Sequence, residues 1–243
     1  MPYKSLFNWS GGKDSSLALY HTLNDKRYSV EKLLTNVNNQ HRRISMHGVR
    51  EELLEQQAIS IGIPLQKLVL SDQPSMIEYE EQMMQTMRQL QKENFTHSMF
   101  GDIFLEDLKT YRETQLEKVQ MSAVFPLWKR DTTELIHEFI DLGFKTIVVC
   151  VKAELLDESF AGRIIDKDFL KDLPNNLDPC GENGEFHTFV FDGPIFKKPV
   201  LYKIGEKVFR EYKALVNDKD KCFTRSPLPS SSMGFWFCDL LAK

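Results

Sequence analysis

Several protein classes are excluded by what this 243-residue sequence lacks. Its longest unbroken apolar run is Ile147 to Val151, far short of the roughly 20 residues that cross a bilayer. The start, Met1-Pro2-Tyr3-Lys4, leads into Ser5 to Asn8 without an apolar leader segment, so the expected setting is cytoplasmic, with no membrane partner. Four cysteines, Cys150, Cys180, Cys222 and Cys238, stand far apart and form no CxxC pair, which argues against a disulfide framework and a zinc site. There is no excess of positive charge. Lys and Arg number 31 against 35 Asp and Glu, a net −4, whereas a duplex-DNA binder carries a net basic face. Neither the P-loop GxxxxGK[ST] nor the dinucleotide GxGxxG occurs. There are no internal repeats, and the one biased patch is Pro227 to Ser232, read as a surface loop.

What is present describes a folded protein. Apolar residues make up 42% and charged residues 27%, outside the range of disordered chains. The length suits one large domain or two modest ones, with a core that needs no staples. Leu6-Phe7, a glycine turn and a helical run from Ser15 to Leu23 open an α/β pattern. Strand-like runs at Val30–Val37, Leu65–Leu70, Thr96–Phe100 and Ala123–Phe125 alternate with helical runs at Val49–Ile61, Ser75–Glu93 and Glu106–Val119. The Met76, Met83, Met87, Leu90 stripe is read as packing against a sheet rather than as a docking face. This order predicts an α/β fold, a five-stranded parallel sheet with helices on both faces, over residues 1–125. A smaller α+β domain, 126–243, has a helix at Thr132–Leu142 started by Asp131 and Glu134 in capping-box spacing. Strands are expected there at Thr146–Val151, Phe186–Phe191, Pro199–Tyr202 and Gly234–Phe237.

The densest chemical signal is Ser10-Gly11-Gly12-Lys13-Asp14-Ser15, between the first strand and first helix. Two glycines allow a tight turn and close approach to an anion, and free N–H groups at a helix start favour phosphate. Ser10 and Ser15 add hydroxyls and Lys13 a full charge. The plainer reading is a turn with Ser10 or Asp14 as helix cap. Asp14 is left as either a cap or a Mg²⁺ ligand. Lys13 is expected on an exposed loop, where it adds little to packing.

A second cluster is Cys180-Gly181-Glu182-Asn183-Gly184-Glu185-Phe186-His187-Thr188-Phe189. In an extended strand Glu185 and His187 would share one face, and an imidazole beside carboxylates can act as a base. The alternative is a Gly-rich turn entering a strand. Asp102, past the fourth strand, lies at the edge where α/β folds bind ligands; it is a helix cap or a group near phosphate, acting through Mg²⁺. His47 is weighed as a substrate contact, and Cys180 as structural.

The Ser10–Ser15 segment resembles the SGGxDS pyrophosphate loop of the N-type ATP pyrophosphatases, the PP-loop group of the adenine nucleotide alpha-hydrolase superfamily, with its HUP/Rossmann-like sheet. CGENGEFHTFV resembles the signature of that group's diphthine–ammonia ligase branch. Gly101-Asp102-Ile103, Pro126-Leu127-Trp128, Gly162-Arg163 and Asp192-Gly193-Pro194-Ile195-Phe196 match in order, so the resemblance runs from Ser10 to about Phe196. The segment Ile44-Ser45-Met46-His47 matches loosely. Arg112 comes later than an arginine common in the branch after the Asp107 position.

The resemblance implies an ATP-dependent ligase. An acceptor carboxylate attacks the α-phosphate, pyrophosphate leaves, and ammonia displaces AMP. Its partners would be ATP, Mg²⁺, ammonia and a carboxylate on a small molecule or a modified protein side chain; diphthine is a modified histidine on an elongation factor. Implied catalytic residues are Lys13, Glu182, Glu185 and His187. Ser10 to Ser15 and Asp102 would hold ATP, Asp14 and Asp102 the metal, and His47, Gly101 and Asn183 the substrate. ATP is expected at the carboxyl edge of the first and fourth strands, with Glu182, Glu185 and His187 beyond the loop on the acceptor side. Two rivals remain: a nucleotide sensor without turnover, and a sulfur-transfer or other acyl-adenylate enzyme. A homodimer is compatible with all three.

Overall fold

The computed structural model describes residues 1–39, 43, 48–71, 75–212 and 233–243. His47 and the Pro227–Ser232 patch lie outside these residues. The first half is a parallel sheet of β1 (Tyr3–Asn8), β2 (Tyr28–Asn38), β3 (Leu65–Leu70), β4 (His97–Met99) and β5 (Ser122–Val124). Its order is β3-β2-β1-β4-β5, every pairing parallel. The helices are α1 (Lys13–Asn24), α2 (Glu51–Ile61), α3 (Met76–Lys92) and α4 (Glu106–Glu117).

Strand alternation explains why helices cover both faces. Phe7 and Leu33 project into one cluster with Leu17 and Leu19 of α1 and Leu53 and Leu54 of α2. Their neighbours Leu6 and Leu34 project into the other, with Met87 and Leu90 of α3 and Leu116 of α4. Each buried Leu or Phe is worth about 1.5–3 kcal/mol of transfer free energy, so a one-residue slip would reverse both faces at once. The methionine stripe packs as expected: Met87 is buried and Met83 lies against the same cluster. Helix ends follow local chemistry. Ser75 accepts from the Glu78 N–H to cap α3, and Gly62, at φ 86°, closes α2 with its N–H on the Ala58 carbonyl.

Connections run to β2 and β3 on one side of β1 and to β4 and β5 on the other. The order therefore switches between β1 and β4, and crevices at the carboxyl ends of such strands bind ligands.

The remainder carries α5 (Thr132–Asp141), β6 (Lys145–Lys152), α6 (Lys167–Asp172), β7 (Phe186–Asp192), β8 (Tyr202–Tyr212) and β9 (Met233–Ala242). The four strands form an antiparallel sheet, β7-β6-β9-β8. Asp131 caps α5 by accepting from the Glu134 N–H at 2.9 Å. Leu135, Ile136 and Phe139 of α5 and Ile147, Val149 and Phe189 of the second sheet join the same cluster as α1 and α2. One departure is β8. The expected Pro199–Tyr202 strand begins only at Tyr202 and continues to Tyr212, because Lys203, Glu206, Lys207, Arg210 and Glu211 erase the alternation of a half-buried strand. The short α6 also went unread.

Candidate active site

The glycine loop sits at the switch point. Asn8, ending β1, donates through Nδ2 to Ser98 Oγ at 2.8 Å and to the Met99 carbonyl at 2.9 Å, fastening β1 to β4 directly beneath it. Gly11 has φ +77°, and a Cβ there would lie 2.6 Å from Gln57 Oε1; both facts demand glycine. Its carbonyl accepts from the Val190 N–H at 2.9 Å and from Gln57 Nε2 at 3.0 Å. The Lys13 N–H donates to Thr188 Oγ1 at 3.0 Å. The outer edge of β7 thus docks on the loop and links the two sheets at this point.

Gly12 is the residue before α1, and no side chain caps that helix. The plainer reading of a turn capped by Ser10 or Asp14 therefore does not hold. The Ser10 hydroxyl donates instead to Ser15 Oγ at 3.0 Å, and Ser15 Oγ to the Gly12 carbonyl at 3.0 Å. The serines brace the loop, and the start of α1 keeps the N–H polarity that suits an anion.

Lys13 is 4% exposed, which overturns its reading as an exposed lysine. Its Nζ contacts both carboxylate oxygens of Asp14 at 2.7 Å. Burial works against its charge, but Asp14, Cys180 and Glu182 outweigh this and raise its pKa, so it is firmly cationic. Asp102, just past β4, pairs with Arg112 at 3.0 Å. Burial raises its pKa against the pull of Arg112, and Asp14 adds to the rise. Its buried Oδ2 is the oxygen that faces Arg112 in that ion pair. A Cβ on Gly101 would sit 3.0 Å from the Ser15 nitrogen, so its bareness lets the chain after β4 abut the start of α1.

The second cluster forms a turn held largely by its own acids. Asp178 Oδ1 accepts from the Cys180 N–H at 2.8 Å, and Oδ2 from Thr132 Oγ1 at 2.7 Å. Glu185, 3% exposed, accepts from the Asn183 N–H at 2.8 Å, Asn183 Nδ2 at 3.1 Å and the Asp178 N–H at 3.2 Å. Gly181 and Gly184 take φ +70° and +83°, as such a turn requires. Glu185 and Asn183 are thus bonded to each other at the turn. His187 pairs with Cys150 in β7. Strand alternation turns it to the face opposite Thr188, away from the loop contact.

Glu182 behaves differently. Burial, then Asp14, lifts its carboxyl to about 8 against the opposing charge of Lys13, with Asp102 and Asp178 adding to the rise. The turn thus delivers one acid into the field of Lys13, Asp14 and Asp102. A narrow cleft beside them is lined by Lys13, Asp14, Leu17, Ile136 and Cys180. Cys180 is buried, its Sγ donates to the Thr132 carbonyl at 3.3 Å, and burial pushes its pKa well up. That is a structural thiol, not a nucleophile.

Asp14 and Asp102 remain as candidate metal ligands. Mg²⁺ commonly takes one or two carboxylates together with substrate phosphates, and Asp14 and Asp102, which Lys13 and Arg112 pair with here, are two carboxylates of that kind beside the loop. Among the described residues no three His, Cys, Asp or Glu side chains converge on a metal position. Sequence reasoning missed Gln57 and Thr188. Gln57 is fully buried, with Oε1 accepting from Trp9 Nε1 at 2.9 Å and Nε2 reaching both Gly11 and Val190 carbonyls. Its polarity on the apolar face of α2 was the available signal.

Comparison with known proteins bears on the same two regions. Residues 3–123 match the family described as diphthamide synthase N-terminal domain, and residues 131–221 the diphthamide synthase C-terminal domain. A diphthine–ammonia ligase of Schizosaccharomyces pombe is 30% identical over 128 residues, 46% of this chain and 21% of that protein. The similarly named protein of Danio rerio is 26% identical over 166 residues, 62% of this chain and 65% of its own length. That of Homo sapiens is 27% identical over 123 residues, 49% of this chain and 46% of its own. The aligned part is thus less than two thirds of each relative.

Proposed function

This chain belongs to the diphthamide synthase family, and on that premise we propose that it is an ATP-dependent amide ligase. It adenylates an acceptor carboxylate, releases pyrophosphate and lets ammonia displace AMP. The acceptor, by likeness to relatives named for diphthine and ammonia, is diphthine, and the use of ATP suits the cytoplasm. Residues 1–125 form the nucleotide domain and 126–243 the acceptor domain. The observation that carries this reading is the docking of β7 on the glycine loop, which sets Glu182 of one segment against Lys13, Asp14 and Asp102 of the other.

In this reading the start of α1, with Lys13 and the Ser10 and Ser15 hydroxyls, takes the β- and γ-phosphates. Lys13 exchanges Asp14 for phosphate and stabilises the charge that grows on the leaving pyrophosphate, the kind of stabilisation that dominates such reactions. Asp14 and Asp102 would hold Mg²⁺, which supplies neutralisation of phosphate charge when bound. Glu182 does the proton work. A carboxyl poised near 8 is a better base than an ordinary carboxylate, and catalysis favours a pKa near working pH. It takes the proton that ammonia sheds on attack.

The test is product analysis with ATP, Mg²⁺, ammonium and a diphthine-bearing acceptor. AMP and pyrophosphate in equal amounts with amide support the ligase. ADP and phosphate would overturn it, and intact ATP would favour a nucleotide sensor.

A further inference from the structure

Among the described residues, no strand pairs with the outer edge of the last strand of the second sheet. β8 is eleven residues long, pairs only with β9 among the described residues, and is exposed at nearly every position. Ile204, Val208, Phe209 and Tyr212 are 38–55% exposed, a concentration of apolar surface on an open edge that soluble proteins ordinarily protect. Such an edge offers a row of backbone donors and acceptors to another strand.

We propose that the occupant is a second copy of this chain, pairing β8 with β8 antiparallel about a two-fold axis at Phe209. A two-fold axis between like strands must pass through a residue opposite itself, so the possible registers are few. Centring on Glu206 or Lys207 sets like charges face to face, which destabilises a pair. The register shift between Ile204 and Lys207 confines regular geometry to Lys207–Tyr212. Within that stretch, centring on Phe209 places Lys207 opposite Glu211 twice and the two Phe209 rings together. The Phe209 ring already lies 5.1 Å from Trp236 on the same face, so four rings would stack across the joint. The self-complementarity of Lys207-Val208-Phe209-Arg210-Glu211 favours a copy over an unrelated partner. The two four-stranded sheets become one of eight strands, joined isologously as two-fold interfaces require.

Sedimentation velocity of the whole chain over a concentration series, with intact folding checked by circular dichroism, tests this. A reversible dimer is expected. Glu211→Lys, which sets Lys207 against a lysine twice, should weaken it at least tenfold, and the double reversal Lys207→Glu with Glu211→Lys should restore it. Val208→Lys, opposite Arg210, should also yield monomer. These residues lie outside the active site, so ATP binding should not change. A monomer at every concentration would overturn the proposal. So would a dimer indifferent to Glu211→Lys, or a single variant that the double reversal fails to rescue.

Discussion

Replacing Glu182 by Gln separates the charge of this acid from its shape, and the consequence can be worked out in sign and size. A carboxyl raised from 4.5 to about 8 in the folded protein binds a proton on folding throughout that window. Stability therefore falls as pH rises from 4.5 to about 8 and levels off above it. At about 1.4 kcal/mol for each tenfold change in proton affinity, the full cost is at most ~5 kcal/mol. Glutamine, neutral throughout, escapes that cost. Urea denaturation of both proteins across this range should show nearly equal stability near the acid end. The variant should become the more stable by several kcal/mol near the alkaline end, even as amide formation collapses. Lys13 and Cys180, both raised above their ordinary values, keep their protons across this range, so the difference between the curves reports Glu182 and the carboxylates that face it. Parallel curves would refute the burial of Glu182 among Asp14 and Asp102.

Three further substitutions probe the same architecture. Lys13→Met keeps the buried stem and removes the charge. Pyrophosphate release should fall 100-fold or more, roughly the cost of one lost charge-stabilising donor, and stability by about 1.5–3 kcal/mol as Asp14 loses its partner; normal turnover would remove Lys13 from the phosphate site. Glu185→Gln should cost about 1–3 kcal/mol by setting an amide N–H against the Asn183 donors, read as a lower urea midpoint. An unchanged midpoint would show that the turn does not need this carboxylate. Gln57→Leu strands the Trp9 N–H and the Gly11 and Val190 carbonyls, and should lower the thermal midpoint by several degrees, at roughly 2–4 °C for each kcal/mol in a chain of this size. An unaltered midpoint would mean the loop holds its shape without that bridge.

The parallel sheet was legible because its strands are short, apolar and separated by helical periods, and burial on both faces leaves little ambiguity: Leu6-Phe7 and Leu33-Leu34 each feed two cores. The glycine loop was legible because its residues are contiguous in sequence. β8 was not, since a strand exposed on both faces has no reason to alternate. The second cluster was legible only in part. Spacing along an ideal strand puts Glu185 and His187 on one face, but it does not reveal that positive φ at Gly181 and Gly184 curls the chain back so that Glu185 meets Asn183 and Asp178. Lys13 looked exposed because nothing local in its sequence reveals that β7, some 175 residues on, covers it. Contacts between distant segments such as Gln57 with Val190 lie beyond any local pattern.

The central claim, that an acceptor carboxylate is adenylated at the loop before ammonia enters, is tested most directly by isotope exchange. Labelled pyrophosphate is incubated with the protein, ATP, Mg²⁺ and a diphthine-bearing acceptor, in the absence of ammonium, and the label in ATP is measured. Reversible adenylation predicts that label enters ATP only when the acceptor is present, and that Lys13→Met abolishes the exchange. Label that never enters ATP, while labelled phosphate exchanges into it through ADP, would contradict the account.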